Sequence, residues 1–477
     1  MNRAIAKVFL VGLVLFAALI ANVAYLQVGE AAALKKNPHN HRTIAQELRV
    51  MRGLILGFDG STIAGDVKHS GFYSRTYPQG PVAPQIVGYD SVRYGRSGLE
   101  ASLNDVLTGR KDTGWKGLLD GILGRRRQGD AVKLTLVPAV QKVAQQALGG
   151  QRGAIVVLDP KTGALIAAAS SPSYDPRALE ERWSSLSKDP ARPLLDRATQ
   201  GLYPPGSSFK VVTAAAALDL GKVTPTTTFD DTGVYRIYGG KVTNFHGEVA
   251  GRHTFTQALT LSINTTFAKV GTLLGQKDLE DSMQRFGFWQ VPPLQLPPGA
   301  VYASGRYGSK GLLSPGAPMD PLAVAWMAVG QEQLLATPLQ MALVASAVAN
   351  NGALMKPYLV QQVTAPGGQI VRSAAPEVWR QVMSAQTATT LNGMMQQVVN
   401  AGTGTAAALV GIKVAGKTGT AQKGNANQAW FIAFAPADNP TVAVAVTIEN
   451  TPFTGGDVAA PLAADVLRAA LGQPALP

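Results

Sequence analysis

A chain of 477 residues with 46% apolar side chains is long enough for two or three domains with a sizeable core. It has no cysteine, which excludes disulfides, thiolate metal sites and a cysteine nucleophile, and its five histidines make a poor metal inventory, so no metal and no cofactor is expected. The formal net charge is +13, but the basic residues are scattered and the densest run, Arg125-Arg126-Arg127, is short; anionic lipid headgroups or an anionic wall polymer fit it at least as well as nucleic acid, and no nucleic-acid partner is expected.

From Val8 to Gly29 no residue is charged, and Arg3 and Lys7 precede the run. Its length suits a membrane-spanning helix, with the basic side in the cytoplasm. A cleaved signal peptide would have an apolar core of about 7–15 residues ending in a small-x-small site. This run is longer and has no such site before Gly29, so a retained single-pass anchor over 1–29 is expected, with the rest of the chain outside the membrane. Residues 30–129 read as a pedestal. A polar helical linker (Ala31 to Leu48, with His39 and His41 taken as solvated) leads into Arg52-Gly53 and two apolar runs around Asp59-Gly60, a hairpin. Gly98-Leu99-Glu100 then opens a short amphipathic helix through Leu103 and Leu107, closed by Gly109.

Near Asp130 the pattern changes. Ala131 to Leu136 reads as a strand, Val140 to Leu148 as a helix, and Gly153–Leu158 and Ala164–Ala169 as strands joined by a turn at Asp159-Pro160-Lys161-Thr162-Gly163. Helices are expected to dominate from Ser207 to about Asn350, broken by Pro/Gly-rich loops near 292–298 and 305–318. Strands return at Gly411–Thr420, Ala429–Ala435 and Thr441–Glu449, and Val458–Leu471 is a closing helix. Strands from both ends around a helical block imply one α+β domain with an antiparallel sheet over 130–477.

Within it, Tyr203-Pro204-Pro205-Gly206-Ser207-Ser208-Phe209-Lys210 precedes an alanine-rich run, a turn feeding a helix. Ser207 falls at the helix N-terminus, and Lys210, three residues on, shares its face. A serine beside a lysine of lowered pKa is a recipe for covalent catalysis, although an ordinary N-cap is an equally good local reading of Ser207. Ser185-Leu186-Ser187-Lys188 repeats the spacing, but Asp189-Pro190 ends a helix there. Ser262-Ile263-Asn264 places a hydroxyl and an amide on one turn, and Lys417-Thr418-Gly419-Thr420 ends an apolar strand. Each has an upstream look-alike, Ser102-Leu103-Asn104 and Lys161-Thr162-Gly163. Only one set runs in the order Ser-x-x-Lys, Ser-x-Asn, Lys-Thr-Gly.

With that trio the sequence resembles a class B penicillin-binding protein, a D,D-transpeptidase of peptidoglycan synthesis. The resemblance covers nearly the whole chain. It takes in the apolar run, Arg52-Gly53, Gly98-Leu99-Glu100, Ser171-Pro172-Ser173-Tyr174-Asp175-Pro176, Thr337-Pro338-Leu339-Gln340, Asn350-Asn351-Gly352 and Ala429-Trp430-Phe431. It departs at Gly330-Gln331-Glu332-Gln333, where a glycine is expected after Gln331. The resemblance implies the penicillin-binding transpeptidase/serine β-lactamase-like fold behind a pedestal of the dimerisation type. It implies Ser207 as nucleophile, Lys210 as its base, Ser262 as proton relay, Asn264 on the substrate amide, and the Ser207 and Thr420 backbone N–H groups as oxyanion hole. Lys417, Thr418, Gly419 and Thr420 would hold the terminal carboxylate of a D-Ala-D-Ala stem peptide, or the equivalent group of a penicillin or other β-lactam. Implied partners are the membrane, a SEDS-type glycan polymerase and divisome or elongasome proteins, at the plasma membrane of a bacterium.

The alternatives are a D,D-carboxypeptidase or β-lactamase on the same scaffold, which needs a carboxylate to activate water, and an inactive scaffold or membrane sensor. A sensor is expected to carry more membrane helices and a signalling part, for which the residues before the anchor leave no room. A bifunctional glycosyltransferase needs a further domain before residue 130.

Overall fold

The computed structural model describes residues 2–30, 47–110, 128–423 and 426–472; most of the polar linker, with His39 and His41, and the Arg125-Arg126-Arg127 run lie outside these. Helix α1 (Asn2–Ala24) continues through one wider turn to Gly29, and Ile5–Gly29 is long and apolar enough to cross a membrane.

The pedestal is tied to the rest by one sheet. Strands β1 (Ile55–Leu56), β2 (Thr62–Lys68) and β3 (Tyr73–Thr76) form a meander, and β1 also pairs in parallel with β4 (Ala131–Leu134). On its other side β4 pairs with β7 (Val360–Thr364), which pairs with β8 (Ile370–Ser373), giving the order β8-β7-β4-β1-β2-β3. The motif residues of this region hold a buried charge cluster. Arg52 donates to Glu100 at 2.7 Å and faces Asp90 at 3.3 Å, while Arg75 donates to Glu100 at 2.6 Å and to Asp66 at 3.0 Å. All five side chains are at most 5% exposed, so each charge must keep its partner, because an unpaired ion in this interior costs several kcal/mol. Gly53 is required beside them, since a Cβ there would sit 1.7 Å from the Asp130 carbonyl oxygen.

The second sheet carries the site. Its strands are β5 (Gly153–Leu158), β6 (Leu165–Ser171), β9 (Ala415–Lys423), β10 (Ala426–Ala435) and β11 (Val442–Thr451), in the order β9-β10-β11-β5-β6 and antiparallel throughout. Strands β5 and β6 are buried on both faces, which is why they read as unbroken apolar runs without alternation. Trp430, Ile432 and Phe434 of β10 enter one core with α3 (Lys210–Asp219) and α5 (Pro338–Ala349), and Phe431 and Ala433 enter the other, with α2 (Pro138–Leu148) and α7 (Ala460–Leu471). Helix α5 is buried along all twelve residues, as a helix apolar on every side must be. Strand β9 is an edge.

The α+β domain with an antiparallel sheet, its strands and its closing helix are as the sequence leads one to expect. Two stretches differ. Within the expected helical block, Thr228–Asp231 pairs with Gly251–Thr254 and Val234–Ile237 with Gly240–Thr243. Helix α6 (Ala385–Ala401) and the strands within 353–381 also appear where the sequence pattern leads one to expect no element. The strands there are three to five residues long and β8 is exposed on both faces, so no period of two develops.

Asp196 is buried ahead of the Tyr203–Lys210 stretch. Thr199 Oγ1 lies 2.7 Å from both Asp196 Oδ2 and the Ala300 carbonyl oxygen. A hydroxyl has one proton to donate, so both contacts are satisfied when Asp196 is itself protonated and donates to Thr199. Burial accordingly pushes its carboxyl up to about 6. The folded chain therefore holds a proton that the unfolded chain releases near pH 4, and stability falls as pH rises from roughly 4 to 6. An amide donates without this cost: Asp196→Asn should raise the thermal midpoint at pH 8 and leave it unchanged near pH 4, and equal midpoints at both pH values would contradict the protonated carboxyl.

Candidate active site

Pro204 and Pro205 end the preceding segment, and Gly206 takes φ +52°, with its missing Cβ leaving room for Thr420 O, 2.8 Å from where that atom would stand. Gly206–Phe209 forms one 3-10 turn that runs into α3 at Lys210, so Ser207 lies in the first turn of a continuous helical segment, half-buried. Three bonds hold the turn: Trp430 Nε1 donates to Pro204 O at 3.0 Å, Gly206 N to Gly330 O at 2.8 Å, and Ser208 Oγ to Pro205 O at 2.7 Å. Gly206, next to Ser207, thus packs against the Thr420–Ala421 backbone of β9.

The expected site residues converge here. Helix α4 (Asn264–Arg285) starts at Asn264, and Ser262 just before it adopts φ +62°. Lys210 Nζ donates to Ser262 O at 2.6 Å and to Asn264 Oδ1 at 2.7 Å, and lies 3.3 Å from Ser262 Oγ. Lys417 Nζ donates to Ser262 Oγ at 2.8 Å and to Thr418 O at 3.0 Å. The Ser262 hydroxyl therefore bridges the two lysines. Ser207 Oγ makes no hydrogen bond to Lys210 in this geometry; such contacts often tighten only with substrate present. Ser207, Ser262, Asn264, Thr418 and Thr420 line a cleft of about 520 Å³. Gly419 lies under it, where a Cβ would meet Pro205 O at 2.7 Å.

Both lysine side chains are fully buried, and among the described residues neither has a carboxylate partner. Burial, and then the neighbouring Lys417 ammonium, hold Lys210 well below the ordinary lysine range, and burial brings Lys417 down to about 7. Both causes favour the neutral amine form of Lys210, whose lone pair can accept a proton from a serine.

The look-alike motifs lie elsewhere. Ser102 Oγ donates to Gln295 O, Thr162 Oγ1 donates to Asp159 in its hairpin turn, and Ser185 bonds only its own helix. Sequence reasoning missed other residues of the site. Thr403 Oγ1 lies 2.6 Å from Thr418 Oγ1, and its flanking glycines were a readable signal, because Gly402 and Gly404 both permit close approach of neighbouring chain. Asp231 accepts from Thr265 Oγ1 at 2.6 Å, from Asn244 Nδ2 at 2.8 Å and from the Gly233 and Ala250 amides at 3.0 and 2.8 Å, fastening the cleft wall to the start of α4. Nothing local to Asp231 marks that role.

Two family models match the chain: the penicillin binding protein transpeptidase domain over residues 153–468 and the penicillin binding protein A dimerisation domain over 52–132. The chain is 34% identical to the peptidoglycan D,D-transpeptidase PbpA of Mycolicibacterium smegmatis, covering 99% of this chain and 100% of that protein. It is similar to the crystallised D,D-transpeptidase domain of a peptidoglycan glycosyltransferase from Eggerthella lenta (37% identity, TM-score 0.79, 89% of this chain and 98% of that one). It is likewise similar to penicillin-binding protein A of M. tuberculosis as an imipenem acyl-enzyme (33% identity, TM-score 0.80, 89% and 100%).

Position 332, where the motif leads one to expect glycine, holds Glu332 at φ +67°, a conformation glycine adopts freely. Glu332→Gly should stabilise the chain by about 1 kcal/mol in denaturant unfolding; a loss of stability would show that the side chain is held in place. The lysines give a second expectation. A lysine titrating at about 7 when folded and near 10.5 when unfolded destabilises the folded chain increasingly as pH falls from 10 to 7. Lys417→Met should therefore raise the thermal midpoint most at pH 6 and least near pH 10. A gain independent of pH would point to packing instead.

Proposed function

Since this chain belongs to the penicillin-binding protein transpeptidase family, we propose that it works as a serine D,D-transpeptidase that cross-links peptidoglycan stem peptides and is a target of β-lactams, with Ser207 as its nucleophile. The observation that carries the residue assignment is the convergence of two buried lysines without carboxylate partners on the Ser262 hydroxyl, next to Ser207.

Neutral Lys210 takes the Ser207 proton as Oγ attacks the carbonyl of the penultimate D-Ala. The oxyanion is stabilised by the backbone N–H groups of Ser207 and Thr420. As the C–N bond breaks, the proton passes from Lys210 through Ser262 to the departing D-Ala amine, leaving an ester on Ser207. Asn264 has its Nδ2 committed to Thr243 O at 3.0 Å and its Oδ1 to Lys210. That arrangement holds the lysine and leaves the second Nδ2 proton for the substrate. Lys417, Thr418 and Thr420, with Gly419 allowing close approach, receive the terminal carboxylate, and that anion favours the ammonium form of Lys417.

For the whole chain we take 1–29 as a cytoplasmic stub and membrane anchor, 30–129 as a pedestal and 130–477 as the catalytic domain. The apolar Ile5–Gly29 helix supports the anchor, and the shared six-stranded sheet supports a pedestal that carries the catalytic domain as one body. In this arrangement a SEDS-type polymerase and divisome or elongasome proteins are reached through anchor and pedestal. A hydrolytic reading is kept alive by one observation, a carboxylate on the cleft wall, Glu248.

Fluorescent penicillin should label the full-length chain in detergent, leave Ser207→Ala unlabelled, and stay attached for hours. Release within minutes would favour the carboxypeptidase or β-lactamase, and label on Ser207→Ala would move the nucleophile elsewhere.

A further inference from the structure

The wall of the cleft between Asn244 and Glu248 is firmly held yet contributes no group to the reaction described above. Asn244 is buried and donates to Asp231 and to Glu248 O at 2.9 Å, and its Oδ1 accepts from the Thr265 amide at 3.0 Å. The Glu248 amide donates to Phe245 O at 3.2 Å. The Glu248 backbone is thus fixed at both its N–H and its carbonyl. Its side chain is exposed on the cleft wall and, among the described residues, has no hydrogen-bond or ion-pair partner. Among the described residues lining the cleft it is the only carboxylate and His246 the only other ionisable side chain of the Asp, Glu, His, Lys and Arg types, with Lys210 and Lys417 buried behind Ser262.

The proposed reaction has a substrate that nothing yet accounts for. The acyl-enzyme is resolved by an amine, and a free aliphatic amine near neutral pH is an ammonium ion. It must approach a cleft whose only lining carboxylate among the described residues is Glu248, with His246 beside it and two lysines buried behind Ser262. From this we propose that Glu248 is the residue that recognises the incoming acceptor, by binding the ammonium of a diamino-acid side chain on a second stem peptide. The inference rests on the transpeptidase reading above. Once positioned, the ammonium releases a proton to solvent, and the amine nitrogen attacks the ester carbonyl. The N–C bond forms, the C–Oγ bond breaks, the amine gives its second proton to Lys210, and Ser207 Oγ recovers one from Lys210. Glu248 binds and orients; it takes no part in donor acylation.

The test separates the two half-reactions in the full-length chain in detergent. Penicillin acylation needs no acceptor, and an N-benzoyl-D-alanyl thioester donor reports aminolysis. Glu248→Gln should be acylated by penicillin at the parent rate. It should need about tenfold more Nα-acetyl-lysinamide for half-maximal aminolysis, the loss expected for one charge-assisted hydrogen bond. Hydroxylamine, neutral at about pH 7.5, should show no such loss, and Glu248→Asp should restore most of the lysinamide response. An unchanged lysinamide requirement, or an equal loss with hydroxylamine, overturns the proposal. So does slower release of the penicilloyl group with unchanged acceptor use, which would make Glu248 a hydrolytic base. A parent chain that neither binds penicillin covalently nor turns over the thioester would instead remove the transpeptidase reading itself.

Discussion

The site depends on keeping two lysine side chains buried together with, among the described residues, no carboxylate to balance them. Moving an ammonium out of water costs several kcal/mol unless it is paired, and here the acceptors for both amines are neutral oxygens: the Ser262 carbonyl and hydroxyl, Asn264 Oδ1 and the Thr418 carbonyl. A carboxylate in the same place would stabilise both ammonium forms and leave no base. The surrounding structure favours the neutral amine. Helix α3 is buried from Lys210 through Ala217, so Lys210 has no route to solvent along its own helix, and β10 covers β9 on the side away from the cleft.

Much of this was readable because the chemistry falls on short, regular spacings. Ser207 and Lys210 fall one turn apart in a single helical segment, Lys417 to Thr420 follow apolar Val414-Ala415 into a strand, and the order of the three motifs is improbable by chance. Strands β5, β6, β10 and β11 of the central sheet were readable for a similar reason: two covered faces force largely apolar runs, whereas the edge strand β9 is marked by its Lys417-Thr418-Gly419. The unread portions are those set by long-range contact. Asp231 organises the cleft wall only because the chain folds Asn244, Ala250 and Thr265 around it. Glu248 has a role to propose only because its backbone is fixed on the rim of a cleft whose other wall is over 150 residues away in sequence. The short pairings of 228–254 leave no mark in the sequence either, since half-exposed strands of four residues carry too few side chains to establish a period.

The pedestal uses a different solution. Where the catalytic domain fills its interior with alanine, valine and aromatic side chains, the pedestal joins its parts through Arg52, Arg75, Asp66, Asp90 and Glu100. Buried ion pairs add little net stability compared with a well-packed apolar core, but they tolerate one arrangement only, because any slip strands a charge. Arg52-Gly53 and Gly98-Leu99-Glu100 are recognisable in the sequence for this reason. They specify where the pedestal strands cross, and through β1 and β4 that geometry is carried into the catalytic domain.

The open edge of β9 limits how much the enzyme can know about what it binds. An extended chain laid along that edge is met by backbone N–H and C=O groups, which are the same for every amino acid. A backbone ladder reads direction and spacing but not side-chain identity. Under the proposed reaction, discrimination on the donor side is concentrated at the terminal carboxylate near Lys417, so a small molecule that places a carboxylate and an amide carbonyl at that spacing presents nearly all the information the site can check. Selectivity for the rest of the substrate has to come from outside the strand, on the wall that β9 faces.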